Sequence, residues 1–224
     1  MPTHPISLTI SLPSGGTISG LLQTPVSAKA CYVFAHGAGA GMNHTFMEAI
    51  AQGLAERGIA SLRFNFPFME QGSKRPDSPA IAHAAIRAAV AEAARRTPGV
   101  PLFAGGKSYG GRMSTQAQAM EPLPGVEGIV LVGFPLHPAG KPSSERAAHL
   151  AGVKLPMLFL QGTRDSLADL ALITQTTASL GKKATLHIVD GADHAFHVLV
   201  RSGRTDAQVR EELLDTMAVW MTKR

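Results

Sequence analysis

Short, almost continuous apolar runs alternate along the chain with longer amphipathic stretches, and Gly, Pro and small polar residues separate them. Ile6–Leu12 and Thr17–Leu22 flank Pro13, Ser14, Gly15 and Gly16, a turn composition that predicts an opening β-hairpin. Cys31–Ala35 and Ala60–Phe64 read as strands. Between them Thr45–Arg57 predicts a helix, with Phe46, Ile50 and Leu54 on one face and Gly58 as its stop. A long loop follows, holding Asn65–Phe68 and Lys74–Asp77. Ser78 and Pro79 then supply an N-cap and a first-turn proline for an Ala-rich helix reaching about Arg96.

Four further strands are expected at Pro101–Gly105, Glu127–Val132, Leu155–Leu160 and Thr185–Val189. Helical segments fall at Arg112–Met120 and near Leu167–Leu180. Phe134–Leu150 is a Pro-rich excursion too short for a substantial lid. Thr205 and Gln208 have capping-box spacing ahead of a last helix whose Val209, Leu213, Met217 and Trp220 form one stripe. Strands without polar alternation, interleaved with helices, predict an α/β fold: a mostly parallel central sheet with helices on both faces. No repeat, linker or low-complexity stretch divides the chain, so the expectation is a single domain over residues 1–224.

The chemistry concentrates at Gly105–Arg112, GGKSYGGR, immediately after the Pro101–Gly105 strand. Its "GKS" suggests a phosphate loop, but the glycine that G-x-x-x-x-G-K-[ST] requires falls at Pro101. Gly37–Gly41 likewise fails as a dinucleotide loop, because Met42 stands where the last glycine belongs. Gly106–Gly110 instead fits G-x-S-x-G, a serine on a tight strand-to-helix turn flanked by residues small enough for the backbones to crowd. Ser108 is therefore the candidate nucleophile.

A serine hydroxyl needs a base within hydrogen-bond reach. Of the nine histidines, His194 lies in a polar turn between the last strand and the last helix. His197, close behind it, is the fallback. The orienting acid belongs at the end of a strand between the two, where Leu158–Asp165 places Asp165 after a glycine turn. Asp190 and Asp193 are rivals, but they share the short histidine turn and are badly placed to approach the ring from its far side. The oxyanion of an acyl-transfer intermediate needs two N–H donors, assigned to Tyr109 after the nucleophile and Ala38 in the glycine-rich loop, with Gly39 the next choice there. Phe66, Phe134 and Phe196 are candidates for an apolar substrate pocket. No metal site is expected, since the Asp190, Asp193, His194 and His197 group lacks further ligands at recognisable spacing.

Composition bounds the reading. Hydrophobic residues make up 45% and charged residues 17%, which excludes a disordered chain. No apolar run is long enough to span a bilayer, and the start Met1–Pro5 lacks the basic and apolar blocks of a secretory signal. The net charge of +5 is scattered and interleaved with acids, so neither a nucleic-acid face nor a membrane surface is indicated. Cys31 is alone, which excludes an internal disulfide, fits a cytoplasmic location and marks it as a small core residue. Nothing in the sequence specifies an oligomeric state.

With Ser108, Asp165 and His194 in this order the chain resembles the α/β-hydrolase superfamily. It is most similar to small, nearly cap-less members of the dienelactone-hydrolase-like branch. HGAGAGMNH, RFNFPFME and GGKSYGGR also resemble a family of small hydrolase-like proteins with chromatin-associated and testis-expressed animal relatives. The resemblance implies the α/β-hydrolase fold and a serine hydrolase acting without a cofactor on a small acyl substrate: a carboxylester, thioester or lactone. Dienelactone hydrolases use cysteine where this chain has Ser108, so their substrate is not carried over. The alternative is a non-catalytic binding or scaffold protein that keeps the fold, against which the complete Ser-Asp-His set speaks. The lysine before the serine, Lys107, has no assigned role.

Overall fold

A computed structural model describes residues 4–73 and 75–223; Met1–Thr3 and Lys74 of the expected loop lie outside the described residues. In chain order the elements are β1 (Ile6–Ser11), β2 (Thr17–Gln23), β3 (Ala30–Ala35), α1 (Thr45–Glu56), β4 (Ile59–Phe64), α2 (Pro67–Glu70) and α3 (Pro79–Arg96). They continue with β5 (Leu102–Lys107), α4 (Tyr109–Met120), β6 (Val126–Val132), β7 (Met157–Gly162), α5 (Leu170–Ser179), β8 (Ala184–Val189) and α6 (Asp206–Thr222). The strands form one sheet in the order β1-β2-β4-β3-β5-β6-β7-β8. β1 pairs antiparallel with β2, and β2 antiparallel with β4; every pair from β4 to β8 is parallel. This is the α/β-hydrolase fold.

The reason the central strands lack polar alternation is visible in β3, which is buried along its whole length. Ala30, Tyr32 and Phe34 point into a core closed by α1 and α6, where Ile50, Leu54, Leu213 and Met217 are fully buried. Cys31, Val33 and Ala35 point into the opposite core, with Ala85, Ile86 and Ala89 of α3 and Met113 and Ala117 of α4. Burying one such Leu or Ile side chain contributes roughly 1.5–3 kcal/mol. Arg57 fastens α1 to α6 through Glu211 and Asp215, both at 2.7 Å. Cys31 is a core residue, and burial pushes its thiol up to about 11.

Several boundaries differ from expectation for local reasons. β7 runs Met157–Gly162 instead of Leu155–Leu160, because Pro156 has no N–H to give the ladder and pairing with β6 starts at Ile129↔Met157. β5 continues past Gly105 to Lys107, where it pairs with Val132, and α4 starts at Tyr109 instead of Arg112. α5 is shorter than Leu167–Leu180, because the Asp169 side chain caps it by accepting from Leu172 N at 3.0 Å. The expected loop after β4 contains the short α2, with Pro67 in its first turn. Ser78 occupies the N-cap of α3 without a side-chain capping bond, whereas the Thr205–Gln208 capping box of α6 is complete. The Pro-rich excursion forms a 3-10 segment at Glu145–Gly152, and His149 there contacts Thr115 of α4 at 2.8 Å. Among the described residues no helix is long and apolar enough to cross a membrane.

Candidate active site

Ser108 stands alone between β5 and α4 with φ 50°, a left-handed conformation that L residues rarely hold. The turn is possible only because its neighbours lack side chains. A Cβ on Gly106 or on Gly110 would lie 2.4 Å from the Ala35 carbonyl oxygen at the end of the adjacent β3. The Ser108 N–H donates to Val132 O at 3.0 Å, and Ser114 Oγ donates back to Gly105 O at 3.1 Å. The serine side chain therefore projects from a turn fixed on both sides.

His194 and Asp165 arrive from the ends of two other parallel strands. His194 Nε2 lies 2.8 Å from Ser108 Oγ, and its Nδ1 lies 2.7 Å from Asp165 Oδ2. A carboxylate only accepts, so Nδ1 carries the proton and Nε2 is left to accept from the serine hydroxyl. The Asp165 side chain is fully shielded from solvent. It accepts from Leu167 N at 2.8 Å and from Gln161 Nε2 at 2.5 Å as well as from the histidine. Gln161 is itself fixed, its Oε1 accepting from Phe134 N at 3.0 Å.

The histidine turn is held by Asp193, whose Oδ1 accepts from Ala195 N at 2.8 Å and His197 N at 2.9 Å. That is the structural work of the rival acid. Asp190, the other rival, accepts from Thr163 Oγ1 at 3.3 Å. His197 pairs at the surface with Asp206 at 2.9 Å, which raises its pKa. Among the described residues, Asp190, Asp193 and His197 thus bond to groups other than Ser108. Among the described residues no three His, Cys, Asp or Glu side chains gather where they could hold a metal ion.

Beside Ser108 lies a cavity of about 390 Å³ whose walls include Ala38, Phe46, Met47, Leu167 and His194. Ala38 comes from the turn after β3, where Ala40 N donates to Gly37 O at 3.3 Å. His36 anchors that turn. It is buried, its Nδ1–H donates to Gly37 O at 2.7 Å, and its Nε2 accepts from Phe66 N at 3.0 Å. Burial pushes its pKa down to about 4, so the ring stays neutral.

The aromatic expectations fare differently. Phe66 is fully buried and packs edge-on against His36, Phe64 and Tyr109, away from the cavity. Phe134 is buried against Phe159 and does not line it either. These two are core side chains, a correction to their expected place in a substrate pocket. Phe196 stacks on Phe46 and lines a neighbouring cleft of about 410 Å³ with His197 and Arg210. The apolar wall at Ser108 comes instead from Phe46 and Met47 on the first turn of α1 and from Leu167. Reasoning from the sequence also missed Gln161, which holds Asp165, and His36, which anchors the turn carrying Ala38; neither lines the cavity.

The stretch 28–222 matches the model of a family described as an alpha/beta hydrolase domain. Among solved structures the chain is similar to an α/β serine hydrolase without a lid from Xanthomonas campestris, at 22% identity, covering 98% of this chain and 96% of that one, TM-score 0.75. It is similar to an alpha-beta serine hydrolase homologue from Coxiella burnetii, at 20% identity, covering 96% and 99%, TM-score 0.77. A dienelactone hydrolase from Anabaena variabilis is likewise similar, at 20% identity, covering 99% of both chains, TM-score 0.77. At these identities the likeness to the solved structures is one of fold.

Proposed function

The chain belongs to the alpha/beta hydrolase domain family, and from that premise we propose that it is a serine hydrolase cleaving an ester-type acyl bond of a small substrate. The observation that carries this reading is the continuous relay from Ser108 Oγ through His194 to Asp165, at 2.8 and 2.7 Å. Such a relay turns a poor nucleophile into a competent one.

In the first step Ser108 Oγ attacks the substrate carbonyl carbon while its proton passes to His194 Nε2. Asp165 accepts from Nδ1–H and balances the imidazolium that forms. The carbonyl oxygen becomes an oxyanion, stabilised by the N–H groups of Ala38 and Tyr109. Two observations support these donors. Tyr109 is the first residue of α4, where the helix dipole favours negative charge, and Ala38 lines the cavity at Ser108. Collapse of the intermediate expels the alcohol or thiol, which takes the proton from His194 Nε2. Water then gives a proton to Nε2 and attacks the acyl-serine, releasing the acid and restoring Ser108. The apolar wall of Phe46, Met47 and Leu167 suits an uncharged acyl or alkyl group.

A fluorophosphonate probe tests the reading. Covalent labelling of the wild type and none of Ser108→Ala is the expected result, and a folded wild type that takes no label would refute it.

A further inference from the structure

Lys107 is a charged side chain beside this relay, lining the same cavity as Ser108 and His194, and it is not consumed by the chemistry above. It ends β5, its chain is half-buried, and its Nζ donates to the His194 carbonyl oxygen at 2.6 Å. The ammonium also sits 5.5 Å from the centre of the Phe196 ring, on the far end of the same histidine turn. Space for it is made by Gly133, after β6. A Cβ there would stand 3.1 Å from Lys107 Nζ and 3.5 Å from His194 Cε1, and the glycine has φ 68°. Three segments of the chain thus meet at one ammonium: the ends of β5 and β6 and the histidine turn.

Resting on the serine hydrolase reading, we propose that Lys107 is a positioning residue for the base: its ammonium holds the His194 backbone, and through it the imidazole, within reach of Ser108. The titratable groups facing it are the Asp165 and Asp193 carboxylates, the imidazole of His194, and His44 across the cavity. Burial pushes the Lys107 amine down to about 8, and the two carboxylates oppose that shift. Loss of its proton leaves a weaker donor to His194 O and removes the cation that offsets Asp165 and Asp193. The hold on the histidine turn then slackens as pH rises through about 8.

The test uses fluorophosphonate labelling rates and p-nitrophenyl acetate kinetics on the full chain between pH 6 and pH 10. In the wild type both rates should fall as pH rises through about 8. Lys107→Met should lower kcat by about 10- to 100-fold, the range that a small misplacement of a catalytic group produces, with KM changed little and the fall near pH 8 absent. Lys107→Arg, which keeps a cationic donor that does not titrate in this range, should recover much of kcat and carry its activity on to pH 10. Wild-type kcat in Lys107→Met, or a fall near pH 8 that persists in Lys107→Met or Lys107→Arg, would overturn the proposal. If Lys107→Met fails to fold, the profile of Lys107→Arg decides alone. A wild type that takes no label overturns the hydrolase reading itself; a wild type that labels, with Lys107→Met labelling equally fast, overturns only the role of Lys107.

Discussion

His36 makes the fold sensitive to acid at the loop that carries Ala38. Its ring accepts from Phe66 N and donates to Gly37 O, so both nitrogens are used only when it is neutral. The unfolded chain takes up the proton near 6.5, whereas burial delays uptake in the folded protein to about 4. The unfolded state therefore binds more protons through this window. The stability is fully present above 6.5 and is lost as pH falls towards 4. Linkage from those two values gives a loss of about 2 kcal/mol by pH 5 and about 3 kcal/mol by pH 4. His36→Gln keeps an acceptor for Phe66 N but does not titrate. Urea unfolding of both proteins at intervals from pH 7 to pH 4 isolates the effect, because other acid-sensitive groups, His149 included, are common to both. The wild type should start ahead at pH 7 and lose that lead by pH 4. A stability difference that stays constant across the range would refute the reasoning.

Other outcomes follow from the same contacts. Gly106→Ala drives a Cβ to 2.4 Å from Ala35 O, a backbone atom fixed in the sheet, so both labelling and thermal stability should drop sharply in a melting and probe experiment. Asp165→Asn should leave the circular dichroism spectrum intact while lowering the labelling rate by about 10³- to 10⁴-fold, since the amide no longer selects the productive histidine tautomer. Thr205→Ala removes the capping box of α6 and should cost about 1 kcal/mol in urea unfolding without changing the labelling rate.

Much of the architecture was legible because it depends on local pattern. Apolar runs marked β3, β6 and β7 because both sheet faces are covered there, and Thr205 with Gln208 marked the start of α6. That Ser108, Asp165 and His194 lie within hydrogen-bond reach of one another was legible because their residue types and order along the chain narrow the choice. Boundaries failed where the determinant lay on another strand. The ladder that extends β5 to Lys107 is made with β6, and the two glycines that broke the apolar pattern make room for neighbouring backbones, Gly105 for Val130 of β6 and Gly106 for Ala35 of β3. The aromatic wall failed for a related reason. Phe66 and Phe46 are both near a motif in sequence, but only the packing of α1 against the sheet decides which one faces Ser108. Gln161 and Lys107 were unassigned because their partners, Asp165 and the His194 carbonyl, are reached by side chains whose direction no periodicity encodes.

The central claim is that Ser108 is an activated nucleophile. Mass spectrometry of the intact, folded protein after fluorophosphonate treatment tests it most directly. The account predicts one adduct, located on Ser108, abolished in Ser108→Ala and slowed in both Asp165→Asn and His194→Ala. A folded wild type that stays unmodified, or one labelled equally well after Ser108→Ala, would contradict it.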